Sequence, residues 1–211
     1  MRKRHIPIGW PERNSMRCCF SIPNSVWDYQ LKPTEFVILS YLCCCHTHAS
    51  KPELLSVETV AQAVHMTAGT VKKYLSMLMR KGLITEGRSL ISEFQRTHIE
   101  KFFTLPNEIF LLSLSPSAFM VYAYLLLIED RKTHTFHPNY NTISAETGMS
   151  KNTVIKSVGA LLDKRLIAME YSRYIDQRGM KWKGNNLYTI LPIRQAMDSL
   201  SAADTAWAAV V

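Results

Sequence analysis

Lys151, Asn152, Thr153 and Lys156 stand close together in a stretch with helical spacing, and Ser150 precedes them. All five side chains donate hydrogen bonds and none is an acid. An asparagine amide at such a position can pair with the N6 and N7 edge of adenine, a contact worth roughly 1–3 kcal/mol of discrimination. A lysine there reaches a guanine edge or a phosphate. Ser150 is suited to cap a helix through its hydroxyl and also to donate to phosphate. The competing reading is a plain solvated face, because helices routinely carry exposed lysine.

These side chains need a helix with a buried back. Val154, Val158 and Leu161 fall on one face at helical spacing, with Leu162 on its flank; Asn152, Lys156 and Gly159 lie roughly opposite. Asn141 to Thr147 reads as a shorter helix, broken by Gly148. Two helices joined by a tight glycine-containing turn make a helix-turn-helix, and its second helix is shaped for a DNA major groove.

The unit occurs twice. Sliding the chain by 83 residues aligns Phe20–Ile84 with Phe103–Ile167 without a gap, and 17 of the 65 pairs are identical. Average composition would give roughly four. The identities include Pro23/Pro106, Asn24/Asn107, Pro33/Pro116, Phe36/Phe119, Tyr41/Tyr124, Met66/Met149, Thr70/Thr153, Val71/Val154, Lys73/Lys156 and Leu78/Leu161. In the first copy Thr67 caps a helix from Ala68 to about Lys81, ended by Gly82. Its inner face is Val71, Leu75, Leu78 and Met79; its outer face is Gly69, Lys72, Lys73, Ser76 and Arg80. Thr67, Thr70, Lys72 and Lys73 are therefore its candidate DNA contacts. Ser76 and Gly159 are small on the outer faces, either for close approach to DNA or for helix packing. Upstream, Ser56 caps a helix carrying Val57, Val60, Ala61 and Val64, and Thr34 can cap one through about Cys45. Phe36, Val37, Leu39 or Ser40, Tyr41 and Cys44 form the inner face of that last helix, matched in the second copy by Phe119, Met120, Val121, Tyr124, Leu125 and Ile128.

Cys43-Cys44-Cys45-His46-Thr47-His48 offers zinc-type ligands. Against a metal, the three cysteines align with Leu126, Leu127 and Ile128, and a free cysteine packs as a small hydrophobe. Contiguous ligands on one helix would also point apart. Neither a metal nor a cofactor is expected.

After the second polar helix, Leu166 to Tyr174 is strand-like, Asp176 to Gly184 is a polar loop and Asn185 to Ile190 a return strand: a β-hairpin with Gly179 near its tip. Residues 164–183 hold six bases against two acids, so Arg173, Arg178, Lys181 and Lys183 are placed to reach flanking phosphates. An aromatic-then-aliphatic strand ending at proline recurs at Cys18–Ile22, Phe102–Leu105 and Tyr188–Leu191. Whether Phe102–Leu105 closes the first unit, opens the second or bridges them is open at this level, as is Arg88 to Glu100. Residues 1–17 form a basic arm fit for phosphates or a minor groove, or a disordered tail. Arg194–Val211 is alanine-rich and fits a docking or dimer helix, giving a homodimer, and equally a frayed end.

The net charge of +8 and pI of about 9.3 favour an acidic partner. No stretch of about 20 apolar residues exists to span a bilayer. Arg2, Lys3 and Arg4 are followed by Pro7, Gly9 and Pro11 rather than by the apolar run of a signal peptide, which predicts a cytoplasmic protein. Paired catalytic carboxylates, a nucleophile elbow and a phosphate loop are all missing, so no enzyme is expected.

The pattern resembles the tandem winged helix-turn-helix proteins of bacterial plasmids, phages and conjugative elements, which act as replication initiators and related regulators. Carrying the resemblance are Phe103-Thr104-Leu105-Pro106-Asn107, His137-Pro138-Asn139, Gly148-Met149-Ser150-Lys151-Asn152-Thr153-Val154, Leu166-Ile167 and Asn186-Leu187-Tyr188-Thr189. The first copy fits from Phe20 to Ile84 but lacks a clear basic wing. The expected fold is mainly α with small β wings (α+β). The expected order is a basic arm (1–17), winged-helix domain 1 with linker (18–101), winged-helix domain 2 (102–193) and a tail (194–211). The expected partner is double-stranded DNA. The alternative is a winged-helix protein-interaction scaffold in replication or segregation, with weak and sequence-blind DNA binding.

Overall fold

The computed structural model describes residues 19–48, 55–85, 101–130, 132–175 and 178–199. The basic arm, the linker stretch 86–100 and the tail from residue 200 onward lie outside them. The chain divides into two compact units, Met1–Pro116 and Ser117–Val211.

In the first unit, strand β1 (Cys19–Pro23) leads into a 3-10 helix (Asn24–Tyr29), then α1 (Pro33–His48), α2 (Val57–Ala63) and α3 (Ala68–Arg80). It ends with β2 (Phe102–Pro106) and a second 3-10 helix (Asn107–Leu112). β2 pairs antiparallel with β1, with Ser21 opposite Thr104. That answers the question the sequence left open: the Phe102–Leu105 segment pairs with the first unit's opening strand, and the division falls after Pro116 rather than before Phe102.

α1 begins on Pro33, where a missing N–H costs nothing, so Thr34 lies inside the helix rather than capping it. Glu35, two residues on, accepts the Lys32 backbone N–H at 2.7 Å, half of a capping box. The expected single apolar face on α1 is too narrow. Ile38, Leu42 and Cys43 are buried as well as Phe36, Val37, Leu39, Tyr41 and Cys44, because β1, α2 and α3 cover it on several sides. Aromatic rings complete this core. Trp27 stacks on Phe36 at 5.1 Å between centroids, and Phe110 meets Phe20 at 5.8 Å and the edge of Tyr41 at 5.3 Å.

Cys43 and Cys44 lie inside this core, and the Cys44 thiol points toward Asn107 Oδ1 at 3.7 Å. Among the described residues no three histidine, cysteine or acidic side chains gather where they could hold a metal ion.

The second unit runs α4 (Pro116–Ile128), β3 (Thr135–Phe136), α5 (Tyr140–Thr147), α6 (Lys151–Asp163), β4 (Ile167–Ile175) and β5 (Lys181–Ile190). Its sheet has the antiparallel order β3-β5-β4. β3 went unread in the sequence because two residues give no periodicity. Phe136 holds it in place, stacked on Tyr188 at 5.4 Å. α4 is buried from Ala118 through Leu125, again wider than one face, and Ile128 at its end is only half-buried. The first hairpin strand keeps its expected length one residue further on, and the return strand is longer than expected. β5 starts at Lys181 rather than Asn185, because cross-strand pairing with β4 continues through polar residues up to Ile175 opposite Lys181. Residues 193–199 are helical, with Ala196 buried. Among the described residues no helix is long and apolar enough to cross a membrane.

The elements recur at the 83-residue spacing. N-caps Ser56 and Thr67 have counterparts in Asn139 and Ser150. Left-handed backbone falls in the same pairs: Gln30 and Ser113, His65 and Gly148, Gly82 and Arg165.

Candidate nucleic-acid interface

The first turn of α6 exposes backbone N–H groups that no helical carbonyl can reach. Ser150 Oγ accepts from the Thr153 N–H at 3.2 Å, and the two hydroxyls lie 2.8 Å apart. The remaining N–H groups and the helix dipole make this end favourable for a phosphate. Val154, Val158 and Leu161 anchor the helix in the core, joined by Ser157, whose burial the spacing had not suggested. Lys151, Asn152, Ile155 and Lys156 are exposed. Thr153 is half-buried beside the cap, so it serves the helix terminus as well as the polar face.

A side chain built at Gly159 would meet no atom within 4 Å, and the same holds at Gly69. Packing therefore does not require either glycine. On the face of α6, Gly159 leaves a bare patch one turn beyond Ile155 and Lys156.

α5 places this helix. Asn139 caps α5 by accepting from Thr142 N–H at 2.8 Å, and Gly148 turns the chain at φ +65°. Ser144 Oγ donates to the Met149 carbonyl, and Met149 is buried. The turn between α5 and α6 is therefore fixed at both ends.

α3 in the first unit presents a comparable surface. Thr67 caps it, accepting from Thr70 N–H at 3.3 Å, with the two hydroxyls 2.9 Å apart. Lys72, Lys73 and Arg80 are exposed, and Lys73 Nζ lies 5.8 Å from the Tyr74 ring centre. Ser76 donates to the Lys72 carbonyl at 3.1 Å, which turns its hydroxyl back onto the helix. His65 occupies the turn position held by Gly148 in the second unit, at φ +53°, and its Nε2 lies 3.1 Å from the Phe110 carbonyl.

In the hairpin, Arg173 is paired in register with Lys183, and Ile175 with Lys181; the side chains of these two strand ends are outside the described residues. Arg178 and Met180 at the tip are exposed. Two exposed apolar residues, Ile155 and Met180, were not among the expected contacts. The available signal for Ile155 was its position off the Val154–Val158–Leu161 face.

The second unit is a helix-turn-helix with a following β-hairpin, the element order of a winged helix. Residues 112–167 match the family described as "Helix-turn-helix domain", a span that runs from the end of the second 3-10 helix to the first residue of β4. Such domains lay their second helix in a DNA groove, so the match suggests DNA as the partner. No curated protein matches the chain.

Proposed function

We propose that the chain is a non-enzymatic, sequence-specific binder of double-stranded DNA built from two tandem winged helix-turn-helix domains. It acts as a transcriptional regulator or a replication-initiation factor of a mobile element. The observation that carries this reading is the outer face of α6: Lys151, Asn152 and Lys156 exposed side by side on a capped helix whose opposite face is core. The tandem reading draws support from the matched caps and left-handed positions 83 residues apart. Asn152 reads a base edge, and the lysines supply phosphate or guanine contacts. Lys72, Lys73, Thr67 and Thr70 do the equivalent on α3, and the hairpin bases grip flanking phosphate. Two linked readers gain avidity of roughly 10²–10⁴ where both half-sites are reachable.

The test is selection of a binding site from random duplex DNA with the full chain, followed by mobility shift on the selected site. The wild type should select a defined site, and Lys151→Glu with Lys156→Glu should abolish its shift. Sequence-blind binding that survives both substitutions would favour a protein-interaction scaffold instead. Sedimentation of the free chain tests whether it forms a homodimer.

A further inference from the structure

A single exposed aliphatic side chain is ordinary on a protein surface. Ile155 is different because of where it stands. It is 42% exposed on α6, three residues after Asn152, four after Lys151 and beside Lys156. Positions three and four apart on a helix are surface neighbours, about 5–6 Å between Cβ atoms. Ile155 therefore lies in the row of polar groups that would face DNA.

The fold does not need an isoleucine there. Val154, Val158 and Leu161 already bury the inner face. The position 83 residues earlier, on α3, carries exposed Lys72, so an apolar residue is not a requirement of this helix. Isoleucine is also a poorer helix former than lysine or alanine. Its β-branch gives one strongly preferred χ1 rotamer in a helix, which holds its methyl groups in a fixed direction.

The one base-edge group in the major groove that is apolar is the thymine 5-methyl. We propose that Ile155 reads a thymine methyl within one or two base steps of the base read by Asn152, making α6 a mixed polar and apolar reader while α3, with Lys72 at that position, carries no such preference. The proposal builds on the duplex-DNA reading above and adds one specificity-determining residue to it.

Deoxyuridine differs from thymidine at this edge only by the methyl group. Each thymine of the selected site is replaced singly by deoxyuridine, and affinity is measured for the full-length wild type and for Ile155→Ala. One replacement should weaken the wild type about fourfold, the size expected for losing one buried methyl. The same replacement should leave Ile155→Ala unchanged, and Ile155→Val should fall between the two. A wild type that binds its selected site yet tolerates every deoxyuridine overturns the Ile155 assignment and leaves DNA recognition standing. A methyl dependence that persists in Ile155→Ala also overturns it, because another side chain then reads that group. Failure to select any site removes the DNA reading and this assignment with it. Ile155 is exposed, so unchanged thermal unfolding of both variants shows that the comparison is between folded proteins.

Discussion

Lys81 holds its ammonium 3.1 Å from Glu35 Oε2 and 3.2 Å from the Tyr29 carbonyl oxygen. Glu35 is the one acid fully buried among the described residues, and Lys81 caps the C-terminus of α3. The pair therefore ties the end of the first polar helix to the start of α1. In the second unit the corresponding positions are Ala118 and Lys164, so the tie belongs to the first unit alone. Lys81→Met should destabilise the protein by about 2 kcal/mol, less than for a fully buried pair because the ammonium keeps some water. Lys164→Met should change stability by no more than about 0.5 kcal/mol. Urea unfolding of both variants checks the contrast.

Burial pushes the Cys43 thiol up to about 12 and the Cys45 thiol up to about 11; Cys44 is raised further by burial and by its neighbouring thiols. In the unfolded chain these thiols ionise near their ordinary value of 9.0. Above that pH the unfolded state has lost protons that the folded state retains, so stability should fall as pH rises from 9 toward 12. Below pH 9 the cysteines should contribute no slope. Replacing Cys43 and Cys44 by alanine should cost about 1 kcal/mol each at neutral pH and flatten the alkaline decline. Urea midpoints at several pH values, compared between variant and wild type, separate the thiols from Tyr41, whose hydroxyl is also pushed up by burial.

Gly148 and His65 hold the same left-handed turn position at φ +65° and +53°. A methyl added at Gly148 meets nothing within 4 Å, so Gly148→Ala should cost only backbone strain, about 1 kcal/mol. His65→Ala should cost about as much by losing its contact with the Phe110 carbonyl. In His65→Gly, relief of strain offsets that loss, and stability should stay near wild type. Thermal unfolding of the three variants tests this ordering.

Ser150 serves both the helix and the proposed ligand, and aspartate separates the two roles. Ser150→Ala should cost about 1 kcal/mol of stability through the lost cap. Ser150→Asp keeps a good cap and so should unfold like wild type, but it sets a negative charge where a phosphate would approach. Its affinity for the selected site should drop roughly tenfold or more at low salt and recover in part relative to wild type as salt rises. Equal affinity of Ser150→Asp and wild type would mean that no phosphate reaches this terminus.

A loss of Lys156 should act differently from a loss of Asn152. Lys156→Ala should weaken binding to all sequences and lower the salt slope by about 1 if the lysine meets a phosphate. Asn152→Ala should leave the slope unchanged and relax the preference at one base pair by about 1–3 kcal/mol. Titrations of matched and mismatched duplexes at several salt concentrations distinguish them.

Local chemistry in the sequence determined much of this protein. Ser56, Thr67 and Ser150 announced their helices because a capping hydroxyl acts on a backbone group three residues away. The 83-residue recurrence placed α3 and α6 because helical spacing is a local property, and Gly148 marked its turn for the same reason. Burial and long-range pairing depended on the tertiary structure. The width of the α1 and α4 cores follows from neighbours on several sides, which a single helix's periodicity does not encode. The pairing of β2 with β1 joins residues as far apart as Cys19 and Pro106, and nothing in Phe102–Leu105 itself names that partner. The Lys81–Glu35 tie and the Phe136–Tyr188 stack are equally non-local. Ile155 was visible in the sequence only as an apolar residue off the core face; folding placed it in the open row beside Asn152 because Val154, Val158 and Leu161 had already filled the inner side.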